Sequence, residues 1–466
     1  MKVTIISSSA REGVPIQSSS IEPPRFQLPP DKSILHRLLI VGSLSHSQIT
    51  IPIQSQADLG EDVIATILAL ESLGVPIDIQ DTQIQLQGVG LRGLKAPSHK
   101  INCANSGTTA RLLMGLLSGQ GFDSELIGDA SLSQRPMKRL ADVLSEGFGA
   151  KITTATSGTL PVRIRGVSLN AGTVTLPVAS AQMKSAVLLA ALTLDGISSI
   201  LEPGDSRDHT ERMLDAFGCD LWEEDARILI QGATEFVLAD EFTYTIPCDI
   251  SSAAFLLAGA ILTSLPIRLE GVLLNPTRTR FLEVLAVMGI QLDISGVTEE
   301  WDEEKGTISY YGEQVSNLLP FQIDAHDVPL LIDEIPILAI LAGFAHGESI
   351  IVGASELRHK ETDRLAAMSS QLRSFGVEVE ELPDGLRIVG IRNRTLSSCT
   401  IQHHGDHRIA MASAIAALRA NAPCELGTAE VVRISYPGFF EDLGRLVGKE
   451  KIWIENGVAN GGVIHE

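Results

Sequence analysis

Asp31-Lys32-Ser33-Ile34-Leu35-His36-Arg37-Leu38-Leu39-Ile40-Val41 sets a figure that the chain repeats: a short polar start, then an apolar run of helical length. The figure returns at Asn105-Ser106-Gly107-Thr108-Thr109, Ser180-Ala181-Gln182, Asp249-Ile250-Ser251-Ser252, Asp333-Glu334-Ile335-Pro336 and Asp406-His407-Arg408, at spacings of 69 to 84 residues. Asp, Ser and Asn in this position predict helix N-caps, because their side chains accept from the free N–H groups of the first turn. Several starts also carry Lys or Arg within the first turns, so converging helices of this kind would capture an anion.

A second mark keeps step with the first. An apolar-Gly pair recurs at Leu73-Gly74, Phe148-Gly149, Phe217-Gly218, Met288-Gly289, Phe375-Gly376 and Leu443-Gly444. Most are followed by a strand-like run, such as Val75-Pro76-Ile77-Asp78-Ile79 or Val377-Glu378-Val379, so each Gly reads as the C-terminal cap that releases a helix into a strand. Each unit is then strand, helix, strand, helix, strand, strand. Six such units exceed one comfortable core, which predicts an α/β protein of two similar lobes, each of three βαβαββ units around internal parallel helices.

Composition limits the partners. The chain has 36 Lys plus Arg against 57 Asp plus Glu, a net charge of -21, with 44% hydrophobic residues. That is a core-forming chain with no electrostatic reason to bind nucleic acid or an acidic membrane. Yet Lys32, Arg37, Arg111, Arg135, Arg207, Lys360, Arg364 and Arg408 all lie near the repeated starts, which predicts a positive pocket in a negative protein. Bringing these cations together should be repulsive until an anion neutralises them. The apolar stretch Val3 to Ile6 is too short for a secretory or membrane-spanning segment. Five widely spaced cysteines give neither a disulfide framework nor a metal signature, and a reducing cytoplasm is expected. His403 and His404 beside Asp406 lack a metal-ligand spacing, so neither metal nor cofactor is expected.

Individual residues sharpen the anion reading. Gly107 lets a ligand approach the backbone, with Thr108 as a hydroxyl donor and Arg111 about one turn inside the helix. Lys32 and Arg37 place two cations at a helix that Leu38 to Val41 mark as internal, where unpaired charge is costly. In Glu356-Leu357-Arg358-His359-Lys360-Glu361-Thr362-Asp363-Arg364, a helix already begun at Lys360 would put Lys360 and Arg364 on one face and leave Glu361 as a proton-transfer candidate. Asp333 reads either as a plain N-cap or as a separate carboxylate.

Taken in order, these blocks, with Leu132-Ser133-Gln134-Arg135-Pro136-Met137-Lys138, Ser206-Arg207-Asp208-His209-Thr210-Glu211 and Ser435-Tyr436-Pro437-Gly438-Phe439-Phe440, resemble the 5-enolpyruvylshikimate-3-phosphate synthase family over nearly the whole chain. The resemblance implies substrates in a cleft between the lobes, with 34–247 as the N-terminal lobe and 1–33 plus 248–466 as the C-terminal lobe. It implies transfer of the enolpyruvyl group of phosphoenolpyruvate to the 5-hydroxyl of shikimate 3-phosphate, releasing phosphate by addition and elimination, in chorismate and aromatic amino acid biosynthesis. By resemblance, Ser33, Arg37, Ser180, Ser206, Arg207 and Asp333 line the shikimate phosphate side. Thr108, Arg135, Gln182, Arg364 and Arg408 hold phosphoenolpyruvate, with Gly107, Ala181 and Lys360 also in the site. Lys32, Asp333 and Glu361 are the expected catalytic groups, Asp333 nearest the attacking hydroxyl and Lys32 with Glu361 moving protons. A cytoplasmic monomer sensitive to glyphosate is expected.

The chain departs from the family pattern at Pro30 and Cys248, each where a Gly is usual. Ile434 stands where some members carry a phosphoenolpyruvate-binding Lys, so Arg433 or another cation would have to compensate. His209 and Ala181 replace the Tyr and Ser of some members. Two alternatives stand beside the main reading: transfer to a UDP-sugar acceptor, which usually brings a reactive Cys in a loop, and a metabolite-binding relative without turnover.

Overall fold

The computed structural model describes residues 1–7, 22–232, 235–312, 318–391 and 395–455. The six repeated starts open the helices Lys32–Ser43, Gly107–Ser118, Ala181–Ala191, Ile250–Thr263, Ile335–Ala342 and His407–Ala417. They are interior helices: every residue of Ile250–Thr263 is buried. Close packing depends on small residues, since a Cβ added to Gly115 would stand 2.0 Å from the Ala186 carbonyl oxygen of the neighbouring helix.

Five of the six starts cap their helices as the residue types predict. Asp31 accepts from the Ile34 N–H at 2.9 Å, Ser106 from Thr109 at 3.2 Å, Ser180 from Met183 at 3.5 Å, Asp249 from Ser251 at 2.9 Å and Asp406 from Arg408 at 2.8 Å. The fifth helix has no side-chain cap; Pro336 sits in its first turn, where one N–H is dispensable. Asp333 is therefore released from capping.

The glycine series holds at five positions, where Gly74, Gly149, Gly218, Gly289 and Gly376 take φ of 80° to 89° and end a helix. The sixth is a correction. Gly444 lies inside the helix Phe439–Val447, and Gly448, at φ 101°, follows its end. The apolar-Gly signal misleads there because the helix runs on through Gly444 for three more residues, with Lys449 and Ile452 in ordinary contact with it.

Six four-stranded sheets are present among the described residues. In the second, Ile101–Asn102 runs parallel to Ser124–Ile127, which pairs antiparallel with Val162–Arg165, itself paired with Lys151–Thr153. This is one βαβαββ unit, and the units are arranged as two lobes of three. Three sheets borrow strands from far along the chain. Glu241–Thr243 joins Gln48–Pro52, Arg25–Gln27 joins Ile267–Leu273, and Lys2–Ile5 lies between Cys424–Leu426 and Ile452–Glu455. The segments entering the first and fourth helices run side by side. The Asp31 N–H donates to Pro247 O at 2.8 Å and the Asp249 N–H to Pro29 O at 2.9 Å. Pro30 and Cys248, the two departures from Gly, are bridge partners of each other there.

Candidate active site

All six helix starts meet at one cavity of about 600 Å³. Its wall carries ten Lys and Arg side chains against six Asp and Glu, the reverse of the whole-chain balance. Lys32, Ser33, Arg37, Gly107, Thr108, Arg135, Ser180, Ala181, Gln182, Arg207, Asp333, Lys360, Glu361, Arg364 and Arg408 all line it. Ser206 does not. It is buried behind the wall, its hydroxyl without a hydrogen-bond partner among the described residues and its carbonyl accepting from Lys184 Nζ at 3.3 Å.

At one end of the cavity Arg37 and Arg111 are held by neutral groups. Arg37 donates from Nε to Thr210 Oγ1 at 2.7 Å, from Nη2 to Ser185 Oγ at 2.8 Å and from Nη1 to the Ser33 carbonyl at 2.9 Å. Burial without an ion pair pulls its guanidinium down to about 10, against the opposing pull of Glu211. Nearby, Gln182 ties two helix starts together, donating to Thr108 Oγ1 at 3.0 Å and accepting from Arg111 at 2.9 Å. Lys32 Nζ bonds Asp62 at 2.9 Å.

At the other end, carboxylates answer the arginines. Asp333 Oδ2 accepts from Arg207 at 2.7 Å, and its Oδ1 faces Arg408 Nε at 3.1 Å and Arg364 Nη1 at 3.5 Å. Glu361 accepts from Arg364 at 2.6 Å and from Arg135 at 3.3 Å. Burial alone would raise both carboxyls, but these guanidinium groups outweigh it and hold both well below the usual range. The expected repulsion among cations is thus offset within the protein, because Asp333 and Glu361 pair with arginines from both halves of the chain.

The expected shared helix face of Lys360 and Arg364 is also corrected. Asp363 caps the helix through the Ala366 N–H at 3.0 Å, so the helix begins at Arg364 and Lys360 precedes it in extended backbone. Both still reach the cavity. Lys360 makes no salt bridge to any described residue, and burial pulls it down to about 8 despite Asp333. Arg433 does not replace the cation missing at Ile434: it is exposed, Ile434 is buried in the turn Ala429–Ile434, and neither lines the cavity. Arg111 also lines the cavity, where burial and then Arg135 pull it down to about 10.

Three lining groups escape a reading of the sequence. Arg278, in Asn275-Pro276-Thr277-Arg278, bridges the caps of the first and fourth helices, reaching Asp31 at 2.8 Å and Asp249 at 3.3 Å. Burial and then Asp31 raise Asp249 to about 6. Asp62 lies mid-pattern in an ordinary helix, and no local signal marks it. His407 has both ring nitrogens buried without partners, and burial, then Lys32 and Arg408, keep it well below its usual value. His36, by contrast, does not line the cavity, and its Nδ1 shares a hydrogen bond with Thr66 Oγ1 at 2.7 Å. His403 is bonded to Gly427 and Thr428, and no metal-holding group of His, Cys, Asp and Glu occurs among the described residues.

Two three-unit lobes whose helix starts and arginines face one polar cavity define an α/β protein built to hold small, multiply charged anions. A solved structure of EPSP synthase from Acinetobacter baumannii superposes with a TM-score of 0.80 at 37% identity, over 98% of this chain and all of that one. The enolpyruvyl transferase NikO from Streptomyces tendae shares the fold at 16% identity and a TM-score of 0.70, over 96% and 97% of the two chains. A 3-phosphoshikimate 1-carboxyvinyltransferase of Limosilactobacillus fermentum is 44% identical over 90% of this chain and 96% of its own. That of Bacillus subtilis is 40% identical over 91% and 97%. The family described as EPSP synthase (3-phosphoshikimate 1-carboxyvinyltransferase) matches residues 24–443, and the chain belongs to it.

Proposed function

We propose that the chain transfers the enolpyruvyl group of phosphoenolpyruvate to the 5-hydroxyl of shikimate 3-phosphate, releasing phosphate. The observation that carries this reading is the convergence of six helix starts and ten cations on one cavity that also holds two arginine-bound carboxylates. Both substrates are polyanions, and a planar guanidinium fork matches their phosphate and carboxylate oxygens. Phosphate release on mixing both substrates tests the reading. No turnover with tight binding would favour a metabolite-binding relative instead.

The chemistry follows from who holds the arginines. Attack by the hydroxyl needs a base, and protonation of the methylene carbon needs an acid. With Arg207, Arg364 and Arg408 on Asp333, and Arg135 and Arg364 on Glu361, both carboxylates are poor proton acceptors. Incoming phosphate and carboxylate oxygens compete for the same guanidinium groups. Each arginine drawn to substrate relaxes its carboxylate toward a usable range, so Asp333 becomes the base for the hydroxyl. Glu361 and Lys32 become the proton carriers, and the arginines, too basic to give up protons, stabilise the tetrahedral intermediate.

Transfer to a UDP-sugar by a reactive thiol fits less well. No Cys lines the cavity, and burial pushes Cys103 and Cys219 up to about 12 and Cys248 up to about 11. Further parts of the reading rest on the same footing. The lobes divide at 34–247 and 1–33 with 248–466, in keeping with the borrowed strands. No helix among the described residues is long and apolar enough to cross a membrane, in keeping with a cytoplasmic enzyme, taken to be a monomer. Gly107 leaves open the space where an added Cβ would press on Arg111 at 2.7 Å and Arg135 at 3.2 Å, which supports glyphosate sensitivity.

A further inference from the structure

Lys184 is a buried cation that the reaction does not use. It is 4% exposed, sits one turn behind Ser180 and outside the cavity, and its Nζ lies 2.7 Å from Glu211, 2.9 Å from Glu202 and 3.3 Å from the Ser206 carbonyl. Each contact leads to a residue that the proposed reading gives to the shikimate phosphate: Ser180, Arg37 or Arg207. Glu202 Oε1 accepts the Ser180 N–H at 3.0 Å, at the start of the helix whose first turn is cavity wall. Glu211 follows Thr210, the hydroxyl that receives Arg37, and its field acts on Arg37. The Ser206 carbonyl immediately precedes Arg207. The cluster holds one positive and two negative charges, a net of -1, directly behind a seat made of guanidinium groups and hydroxyls.

We propose that Lys184 is a positioning residue for the phosphate of shikimate 3-phosphate, cancelling one of the two carboxylates buried behind Arg37 and Ser180 and tying their supports together. This rests on the reading that the Arg37 end takes that phosphate. A neutral side chain at 184 leaves a net of -2 in a poorly screened interior, which repels the phosphate and competes for Arg37. Arg135, Arg364 and Arg408, which the same reading gives to phosphoenolpyruvate, pair with Glu361 and Asp333 rather than with this cluster.

Steady-state kinetics and calorimetric binding with each substrate, on the full chain, test the assignment. Lys184→Met is expected to raise KM and Kd for shikimate 3-phosphate about tenfold or more, as for a buried pair broken on one side. KM for phosphoenolpyruvate and kcat should move far less. Adding Glu211→Gln restores the net of -1 and should recover most of the lost affinity, which a packing defect would not allow. Should Lys184→Met not fold, Glu211→Gln alone takes the net to zero and should tighten shikimate 3-phosphate. Equal losses for both substrates, no recovery in the double variant, or unchanged or weaker binding in Glu211→Gln would each overturn the proposal. Wild-type protein that binds neither substrate would instead refute the reading of the site itself.

Discussion

Arg37 and Arg364 are both buried guanidinium groups on one cavity, yet they are held by opposite means. Arg37 rests on two hydroxyls and a carbonyl, while Arg364 faces Glu361 at 2.6 Å, Asp406 at 2.8 Å and Asp333 at 3.5 Å. Burial draws Arg37 below the usual range; at Arg364 burial pulls the same way, but Asp406 and Glu361 raise it above that range. The difference teaches where binding and chemistry separate. At the Arg37 end an anion supplies the missing countercharge and little must move. At the Arg364 end an anion must take arginines from carboxylates already in place, so binding there would change the basicity of the groups proposed to carry protons.

The comparison breaks first at Glu361. Replacing Glu361 by Gln keeps the size and removes the proposed proton carrier, so the chemical step in single-turnover kinetics should slow by about 100-fold or more. Equilibrium binding of both substrates should change much less. A normal chemical step in Glu361→Gln would reduce that carboxylate to a structural partner of Arg135 and Arg364, and the two ends would no longer differ in kind.

Arg408 comes next. Its Nε faces Asp333 at 3.1 Å and its Nη1 donates to the Asp333 carbonyl at 3.2 Å, a use of the fork that Lys cannot reproduce. Arg408→Lys should weaken phosphoenolpyruvate by about tenfold and leave shikimate 3-phosphate nearly unchanged, measured by separate calorimetric titrations. Equal weakening of both would mean that the ends are not independent.

Lys360 sharpens the comparison through pH. Because its ammonium is pulled down to about 8, the free enzyme loses that positive charge as pH rises through this value. The profile of kcat/KM for phosphoenolpyruvate should therefore fall above about pH 8, by several-fold over one to two pH units. Binding of the anion favours the charged form, so the limb should lie at higher pH in kcat. A Lys360→Arg variant should flatten it; an unchanged limb would assign the titration elsewhere.

The smallest effect is expected at the rim, where Arg139 meets Glu356 at 2.8 Å with both side chains 40% exposed. Solvent screens such a pair, and Glu356→Gln should alter both KM values and stability by no more than about twofold and about 1 kcal/mol. A large change would show that the rim takes part in closing the cleft over substrate.

Much of this protein is local chemistry and therefore legible in its sequence. Asp31, Ser106, Ser180, Asp249 and Asp406 cap helices because side-chain oxygen and free N–H lie within one turn of each other, and five glycines end helices because only they adopt positive φ without strain. The family blocks marked nearly every cavity-lining residue that had been expected, and missed only in placing Ser206 on the wall. What the linear order could not decide depends on groups far apart in sequence. The residue type leaves Asp333 open between a cap and a separate carboxylate; only the fold brings Arg207, 126 residues away, within 2.7 Å and turns it into a charged hub. Asp62, Arg278 and Lys184 carry no local signature, since their meaning lies in partners supplied by other helices. Charge strength is likewise a tertiary property: the same side chain is drawn to about 8 at Lys360 and held above its usual range at Lys184, because burial sets the penalty and the packed neighbours set the compensation.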